Sequence, residues 1–324
     1  MPGALSGGAG LRQTGAAAEP RRGETRVAGP PYLGDEQIRR MLPMEHAVMA
    51  LEAAFRAGPP GPDAPAARAG LGGGELVLSA GERGRWAAAR LTAAPVSRLL
   101  PSPEPGDDPV SDAVFDPMSD AVFEAVFVVF DADELRPRLL LDARALAVLR
   151  AAAVSALATR HLAQADARRL VVLGTGADAR AHVRAMLAVR QPDEVRVVGP
   201  DARRARRLAE ELDAEHGAKV VPGDPDDVAE ADIVCVCLPG PLFPGPAPRP
   251  GSHVNVIGGR TPEPGSRRPY VVGEHAGMPG CDTDLHHVLT GEGTPPPGAP
   301  TLFTSSGLIA EDLVLAAELA AKLG

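Results

Sequence analysis

Three cysteines in 324 residues, Cys235, Cys237 and Cys281, are too few and too odd a number for a disulfide framework, and they suit a reducing compartment. Aromatic residues are as sparse, with one tryptophan, two tyrosines and seven phenylalanines, so any core must be built from alanine, leucine and valine. Positive charge is also in short supply. With 33 lysines and arginines against 42 acids, the net charge of -9 argues against a nucleic-acid or anionic-membrane partner, either of which selects a basic face. The arginine run at 203–207 is local and sits in a helical pattern. The sequence has no run of the ~18 consecutive apolar residues that a membrane span needs. Residues 1–30 have neither an apolar core segment nor periodicity, which predicts a tail rather than a secretory signal and leads to the expectation of a cytoplasmic protein. No G-x-S-x-G elbow occurs, so a serine hydrolase of that type is not indicated.

What is present is periodicity of two kinds. From Tyr32 the stretch "LGDEQIRRMLPMEHAVMALEAAFRAG" repeats apolar residues at helical spacing, with Asp35 as the expected cap and Pro43 dividing two helices. "GPPGPDAPAARAG" reads as a loop, and "GELVLSAG", "GRWAAARLTAAP", "EAVFVVFDAD" and "PRLLLDA" read as strands of an antiparallel meander. Between them an eight-residue unit is nearly duplicated at 108–123, too short a period for a repeat fold. Beyond Asp142 a long Ala/Leu helix leads into short apolar strands alternating with amphipathic helices, the signature of a parallel sheet covered on both faces. The fold class expected is α/β, with a doubly wound parallel sheet and a separate α+β region.

The first of those later strands, "RLVVLG", runs directly into Gly174-Thr175-Gly176-Ala177-Asp178-Ala179 and then a helix. That context is the one a dinucleotide fingerprint requires. Gly174 permits a tight turn, Gly176 lets the backbone approach a pyrophosphate at the helix N-terminus, and Ala179 keeps the helix close to the strand. The bland alternative is a strand–helix turn with no ligand. The second strand ends at Val198 without the acid that binds the ribose of NAD. Asp201 either takes that role or caps the next helix, and Arg203 either meets the 2′-phosphate of NADP or lies idle on the surface, so NAD and NADP both stay open.

Five stretches, in the right order, resemble the ornithine cyclodeaminase/μ-crystallin family: "YLGDEQIRRMLPMEHAVMALEAAF", "LRAAAVSALATRHLA", "LGTGADARAHVRA", "PGSHVNVIGG" and "TLFTSSGLIAEDL". The resemblance implies a Rossmann domain over 146–305 and a substrate and dimerisation domain over 31–145, to which a C-terminal helix in 306–324 returns. It further implies NAD or NADP as cofactor, a small-molecule substrate, a homodimer, and two arginines, here Arg68 and Arg150, that clamp a substrate carboxylate.

The same resemblance exposes departures. The family's aspartate falls on Arg260, the lysine of its "PGK" on Pro264, the lysine of its "TLFKS" on Thr304, and its strand lysine on Ala89, with Arg90 one residue away on the opposite face of a strand. An arginine stays protonated and cannot serve as a general base, so cyclodeamination of ornithine is not expected. Arg260 in the catalytic position would instead neutralise an anionic substrate or polarise an imine. The expected function is an NAD(P)-dependent oxidoreductase acting on an amino acid or imine; the alternative is an inactive NAD(P)H-binding or regulatory protein. His253, in a strand beside the cofactor cleft, is the one histidine that could donate a proton, the alternative being a satisfied strand histidine. Glu274 and Asp282 are acids that could replace the missing aspartate, and the cluster Cys281, Asp282, Asp284, His286 and His287 matches no metal-site spacing, so no metal is expected.

Overall fold

The computed structural model describes residues 29–59, 66–95, 125–238, 246–258, 260 and 268–323. The duplication at 108–123, Pro264 and nearly all of the expected tail lie outside the described residues. The remainder forms two sheets. The first contains β1 (Tyr32–Leu33), β2 (Ala67–Leu71), β3 (Gly74–Arg83), β4 (Trp86–Pro95), β5 (Ala125–Asp131) and β6 (Arg136–Asp142), in the order β1-β6-β5-β4-β3-β2. Strands β2 to β6 pair antiparallel, and the register fixes two distinct faces. Ser79, Arg90, Phe127 and Leu141 stand in one row, and Arg68, across from Val77, shares their face. Helices cover that face, and Phe127 and Leu141 are fully buried on it. The other face carries Leu78, Leu91, Val128 and Leu140, none of them fully buried.

Two helices precede the meander, α1 (Asp35–Met41) and α2 (Met44–Ala57), with Pro43 as the break. The cap of α1 is Gly34, whose N–H is bonded by the Gln37 side chain; Asp35 is the first helical residue, where its charge favours the helix dipole. The segment read as a loop before residue 71 ends in the edge strand β2.

The second sheet is entirely parallel. It holds β7 (Arg169–Leu173), β8 (Glu194–Val198), β9 (Val220–Pro222), β10 (Ile233–Val236), β11 (His253–Ile257), β12 (Tyr270–Gly273), β13 (Thr283–Asp284) and β14 (Thr301–Ser305), in the order β13-β12-β14-β11-β10-β7-β8-β9. From β7 the chain winds outward through β8 and β9, then returns to the other side of β7 as β10. The strand order therefore reverses between β7 and β10, and the first glycine turn lies there. This is the Rossmann-type doubly wound α/β arrangement expected from the strand–helix alternation.

The long helix α3 (Ala143–Leu162) joins the sheets, capped by Asp142, whose carboxylate accepts from the N–H groups of Arg144 and Ala145 at 3.0 Å. Its alanines let α2, α4 (Ala177–Val189) and β14 approach closely. Among the described residues it is the one helix long and apolar enough to cross a membrane, and 78% of the qualifying stretch is buried inside the protein. After the short helix α6 (Leu285–Thr290), the last helix, α7 (Ile309–Ala321), packs on β3 and β4 of the first sheet. Gly81 makes room for it: a Cβ there would stand 2.8 Å from Ile309 Cγ2.

Candidate active site

Parallel strands present their carboxyl ends along one edge, and in open α/β sheets ligands bind there, at the point of reversal. At this point β7 delivers Gly174 with φ of +135°, a region L side chains avoid. Its N–H donates to the Val198 carbonyl at 2.7 Å, and a Cβ would stand 2.7 Å from the carbonyl oxygen of Cys237. Gly199, just past β8, is needed for a similar reason, since a Cβ there would run into Thr175 Cγ2. Gly176 is different. It caps α4 with no side-chain hydrogen bond to the first turn, and a Cβ added to it meets nothing within 4 Å. The turn is therefore closed on the protein side and open on the other, where the N–H groups of the first turn of α4 point outward. That is the shape an anionic pyrophosphate fits.

Arg260 lies beyond β11, two strands from the turn. Its Nη2 donates to the Leu238 carbonyl at 3.0 Å, immediately past β10, and its charge acts against the upward shift that burial imposes on the Cys237 thiol. Cys237 is the residue over which Gly174 packs. Arg260 thus stands on the same edge as the glycine turn, with its guanidinium toward the β10 end.

Farther along this edge is a buried charged cluster. Arg150 of α3 is 4% exposed; its Nε donates to Asp312 Oδ1 at 3.2 Å, and its Nη1 donates to Ser305 Oγ at 3.2 Å and to Glu274 Oε1 at 3.4 Å. Glu311 completes the set at 3.9 Å from Nη1. Gly307 leaves space for the guanidinium, since a Cβ there would lie 2.5 Å from Nη2. Burial alone would lower the Arg150 pKa, but Asp312, Glu274 and Glu311 raise it. Arg90 reaches the cluster from β4, donating to Asp312 Oδ2 at 3.2 Å. Its neighbour Ala89 is on the opposite face, in register with Val128. The arginine therefore faces the helices, and the alanine that aligns with the family lysine faces away from them.

Arg150 and Arg90 converge on Asp312, whereas Arg68 is on edge strand β2, roughly 10 Å from β4 by strand spacing, paired with Glu75 at 3.0 Å. Asp201 caps α5 (Ala202–His216), accepting from Arg203 N at 2.8 Å and Arg204 N at 3.3 Å, and the Arg203 side chain is exposed. Of the two acids, Asp282 is tied to Arg268 on the surface and Glu274 lies in the cluster. His253 starts β11, at the amino end of the sheet, fully buried and distant from the ligand edge. No lysine replaces those absent from the family positions: the two in the chain are Lys219, paired with Glu194, and Lys322, which donates to the Met41 carbonyl at 2.6 Å. Among the described residues no group of three or more His, Cys, Asp and Glu side chains is arranged to hold a metal.

The sequence profile of the ornithine cyclodeaminase/mu-crystallin family matches residues 119–267. Among curated proteins, a Delta(1)-pyrroline-2-carboxylate reductase of Colwellia psychrerythraea is 31% identical over 137 residues, which covers 40% of this chain and 43% of the reductase. The matched stretch thus spans less than half the length of that relative. Among solved structures, the Thermococcus litoralis Delta(1)-pyrroline-2-carboxylate reductase in complex with NADH and L-proline superimposes with a TM-score of 0.67 at 19% identity, over 90% of this chain and 96% of that one. The iminosuccinate reductase of Paracoccus denitrificans in complex with NAD+ superimposes with a TM-score of 0.68 at 17% identity, over 91% and 97%. At such identities the likeness is one of fold, and the fold extends well beyond the stretch matched in sequence.

Proposed function

We infer, for a chain whose resemblance to the ornithine cyclodeaminase/mu-crystallin family is shown over residues 119–267, that it is an NAD(P)-dependent oxidoreductase of an imine or amino acid. The observation that carries this reading is the glycine turn at the point of strand reversal, sealed behind Gly174 and open at Gly176. The turn from Gly174 to Ala179 would hold the pyrophosphate. A nicotinamide cofactor supplies or accepts a hydride when bound. The matched Colwellia reductase supports the imine side of the reading, as do the two reductases of the same fold.

The protein's own residues fit such a substrate. The end of β14 is three strand intervals from the end of β7, roughly 14 Å, which suits a nicotinamide extended from the turn toward the arginines. Arg90 and Arg150 would meet the substrate carboxylate there, in competition with Asp312. Arg68, on the same sheet face, would close over it. Arg260, held by the Leu238 carbonyl at the β10 end, would neutralise a second negative charge on substrate or cofactor. Ornithine cyclisation is not part of the reading, because among the described residues no lysine or free aspartate stands at this edge to handle the departing ammonia. The reading also includes a homodimer formed through the face of the first sheet that no described helix covers, where Leu78, Leu91, Val128 and Leu140 are arrayed.

Trp86, the single tryptophan, lies on β4 in the Arg90 face and reports on the cofactor. Titration with NADH and with NADPH is expected to transfer its emission to the bound nicotinamide in a saturable way, with calorimetry giving the same Kd. Absence of binding by both methods would reduce the glycine turn to a turn. Tight binding with no turnover across a panel of cyclic imines and amino acids would favour the inactive binding protein.

A further inference from the structure

The missing lysine leaves imine reduction without an obvious proton donor, and the cluster around Arg150 contains one proton that its geometry demands. Glu311 is 2% exposed, and among the described residues neither of its carboxyl oxygens has a hydrogen-bond donor within reach; the cation paired with it, Arg150 Nη1, is 3.9 Å away. A bare carboxylate so placed would be costly. The groups that face it are Glu274 past β12, Arg150 on α3, Asp312 beside it on α7, and Arg83 of β3, which lines the same cavity of about 10 Å³ together with Phe55 and Gly58. That cavity is large enough for at most one water. Arg83 donates instead to the Ala54 carbonyl at 3.3 Å; the guanidiniums paired with these acids are Arg90 and Arg150, two among three carboxyls, and one proton balances the charge. Burial first, then the Glu274 charge, pushes the Glu311 carboxyl well above the ordinary range; at Glu274 burial is outweighed by Arg150, then by the hydrogen bond with Glu311 and those from Ser305 and Gly307, which hold it low.

Glu274 also leads outward. Its Oε2 accepts from the Ser306 hydroxyl at 3.0 Å and from the Ser306 and Gly307 N–H groups at 2.8 and 2.7 Å, and Ser306 is exposed at the carboxyl edge of β14. We propose that Glu311 and Glu274 share one stored proton and deliver it through the Ser306 hydroxyl to the substrate nitrogen. The proposal rests on the reductase reading above. With a hydride supplied to the imine carbon by a bound reduced nicotinamide, the C=N π pair would pass to nitrogen, and the Ser306 hydroxyl would give that nitrogen the proton of its new N–H bond. Ser306 takes a proton from Glu274, which takes the one on Glu311; solvent then restores the pair through Ser306. Ser306 is the group that touches substrate, and the two glutamates act through it.

The store is read first, without turnover, by infrared spectroscopy of the full-length protein at neutral pH. The carbonyl stretch of a protonated, buried carboxyl is expected in the wild type, lost in Glu311→Gln and shifted in Glu274→Gln. If the wild type lacks the band, the shared proton is overturned, whatever the enzyme does. The delivery is read with NADH and a cyclic imine carboxylate as probe. Ser306→Ala should lower kcat by about 10- to 100-fold above neutral pH, Ser306→Thr should restore most of it, and Glu311→Gln should move the alkaline limb of the kcat profile to lower pH. Unchanged rates and profiles in these variants would overturn the delivery. A wild type that shows the band and binds NADH but reduces no imine would overturn the reductase reading, and delivery with it, while the stored proton would stand.

Discussion

Two buried histidines tie the stability of this protein to pH in a way that can be worked out in advance. His253 sits between Thr301 Oγ1, 2.9 Å from Nδ1, and Asn255 Oδ1, 3.2 Å from Nε2. Asn255 donates its amide to Thr159 at 2.8 Å, so its oxygen must accept. The His253 proton is therefore on Nε2, and Nδ1 accepts from the threonine. His182 is the reverse case: Nδ1 faces the Asp178 carbonyl at 2.7 Å and must donate, leaving Nε2 to accept from Ser155 at 3.1 Å. Each ring is fixed as a neutral tautomer, and a second proton would meet a hydroxyl donor. Burial accordingly lowers the pKa to about 4 for His182 and about 3 for His253.

In the unfolded chain both titrate near 6.5, so as pH falls the unfolded state binds protons that the folded state refuses. Stability is therefore full above about 6.5 and is lost as pH falls toward about 4 for His182 and about 3 for His253. At pH 5 both folded rings are still neutral, and the loss is set by the unfolded value alone, about 2 kcal/mol for each ring. Glu311 has the opposite sign: its raised pKa makes folding take up a proton, so its contribution grows as pH falls. The wild-type slope alone therefore mixes the two effects, and a variant separates them. His253→Gln cannot titrate. Urea unfolding followed by circular dichroism at about pH 7.5 and pH 5 should show the stability gap between wild type and variant shrinking by about 2 kcal/mol at the lower pH. A gap of constant size would refute the assignment of a buried neutral ring.

Other outcomes follow from the glycine turn and the open sheet face. Gly174→Ala places a Cβ 2.7 Å from a backbone carbonyl at a positive φ, so it should destabilise the fold by about 1–3 kcal/mol in thermal melts as well as abolish NADH binding. Gly176→Asp enters open space and puts a negative charge where the pyrophosphate would lie; the melt should be nearly unchanged while calorimetry shows NADH binding weakened by at least about 10-fold. Val128→Glu, in the middle of the sheet face through which the dimer is proposed to form, should turn that proposed dimer into a monomer by light scattering without loss of fold.

The parts of the fold legible in the sequence are those set by local chemistry. The glycine spacing, the apolar runs and Pro43 each act within a few residues, and each produced the expected strand, turn or break. Strand β14 was harder to find: its "TLFTS" is short and follows a proline-rich stretch, and only its neighbours β11 and β12 make it a strand. Asp201 had two readings, and the structure shows its carboxylate capping α5; nothing in the sequence could distinguish a cap from a ribose ligand. The Arg150 cluster was the least legible. Its members are up to 222 residues apart, as Arg90 and Asp312 are, and no pattern of spacing predicts that five charged side chains from α3, β4, α7 and the β12 end will share one buried volume.

That cluster changes what the lost lysines mean. A lysine at position 304 or 89 would have brought its own proton and its own charge. With threonine at 304, buried in the sheet, and alanine at 89 on the far face, the cations that the described residues bring to the cluster are the arginines Arg90 and Arg150, and arginines do not give up protons. The site must then separate two tasks that a lysine combines: guanidiniums hold the anion, and a carboxylic acid carries the proton. Carboxyl groups titrate too low for that task unless burial and a like-charged neighbour raise them, and Glu311 has both. Replacing Glu311 by glutamine keeps a neutral, hydrogen-bonding side chain of the same size, so the fold should tolerate it. A reductase that depends on the stored proton should not.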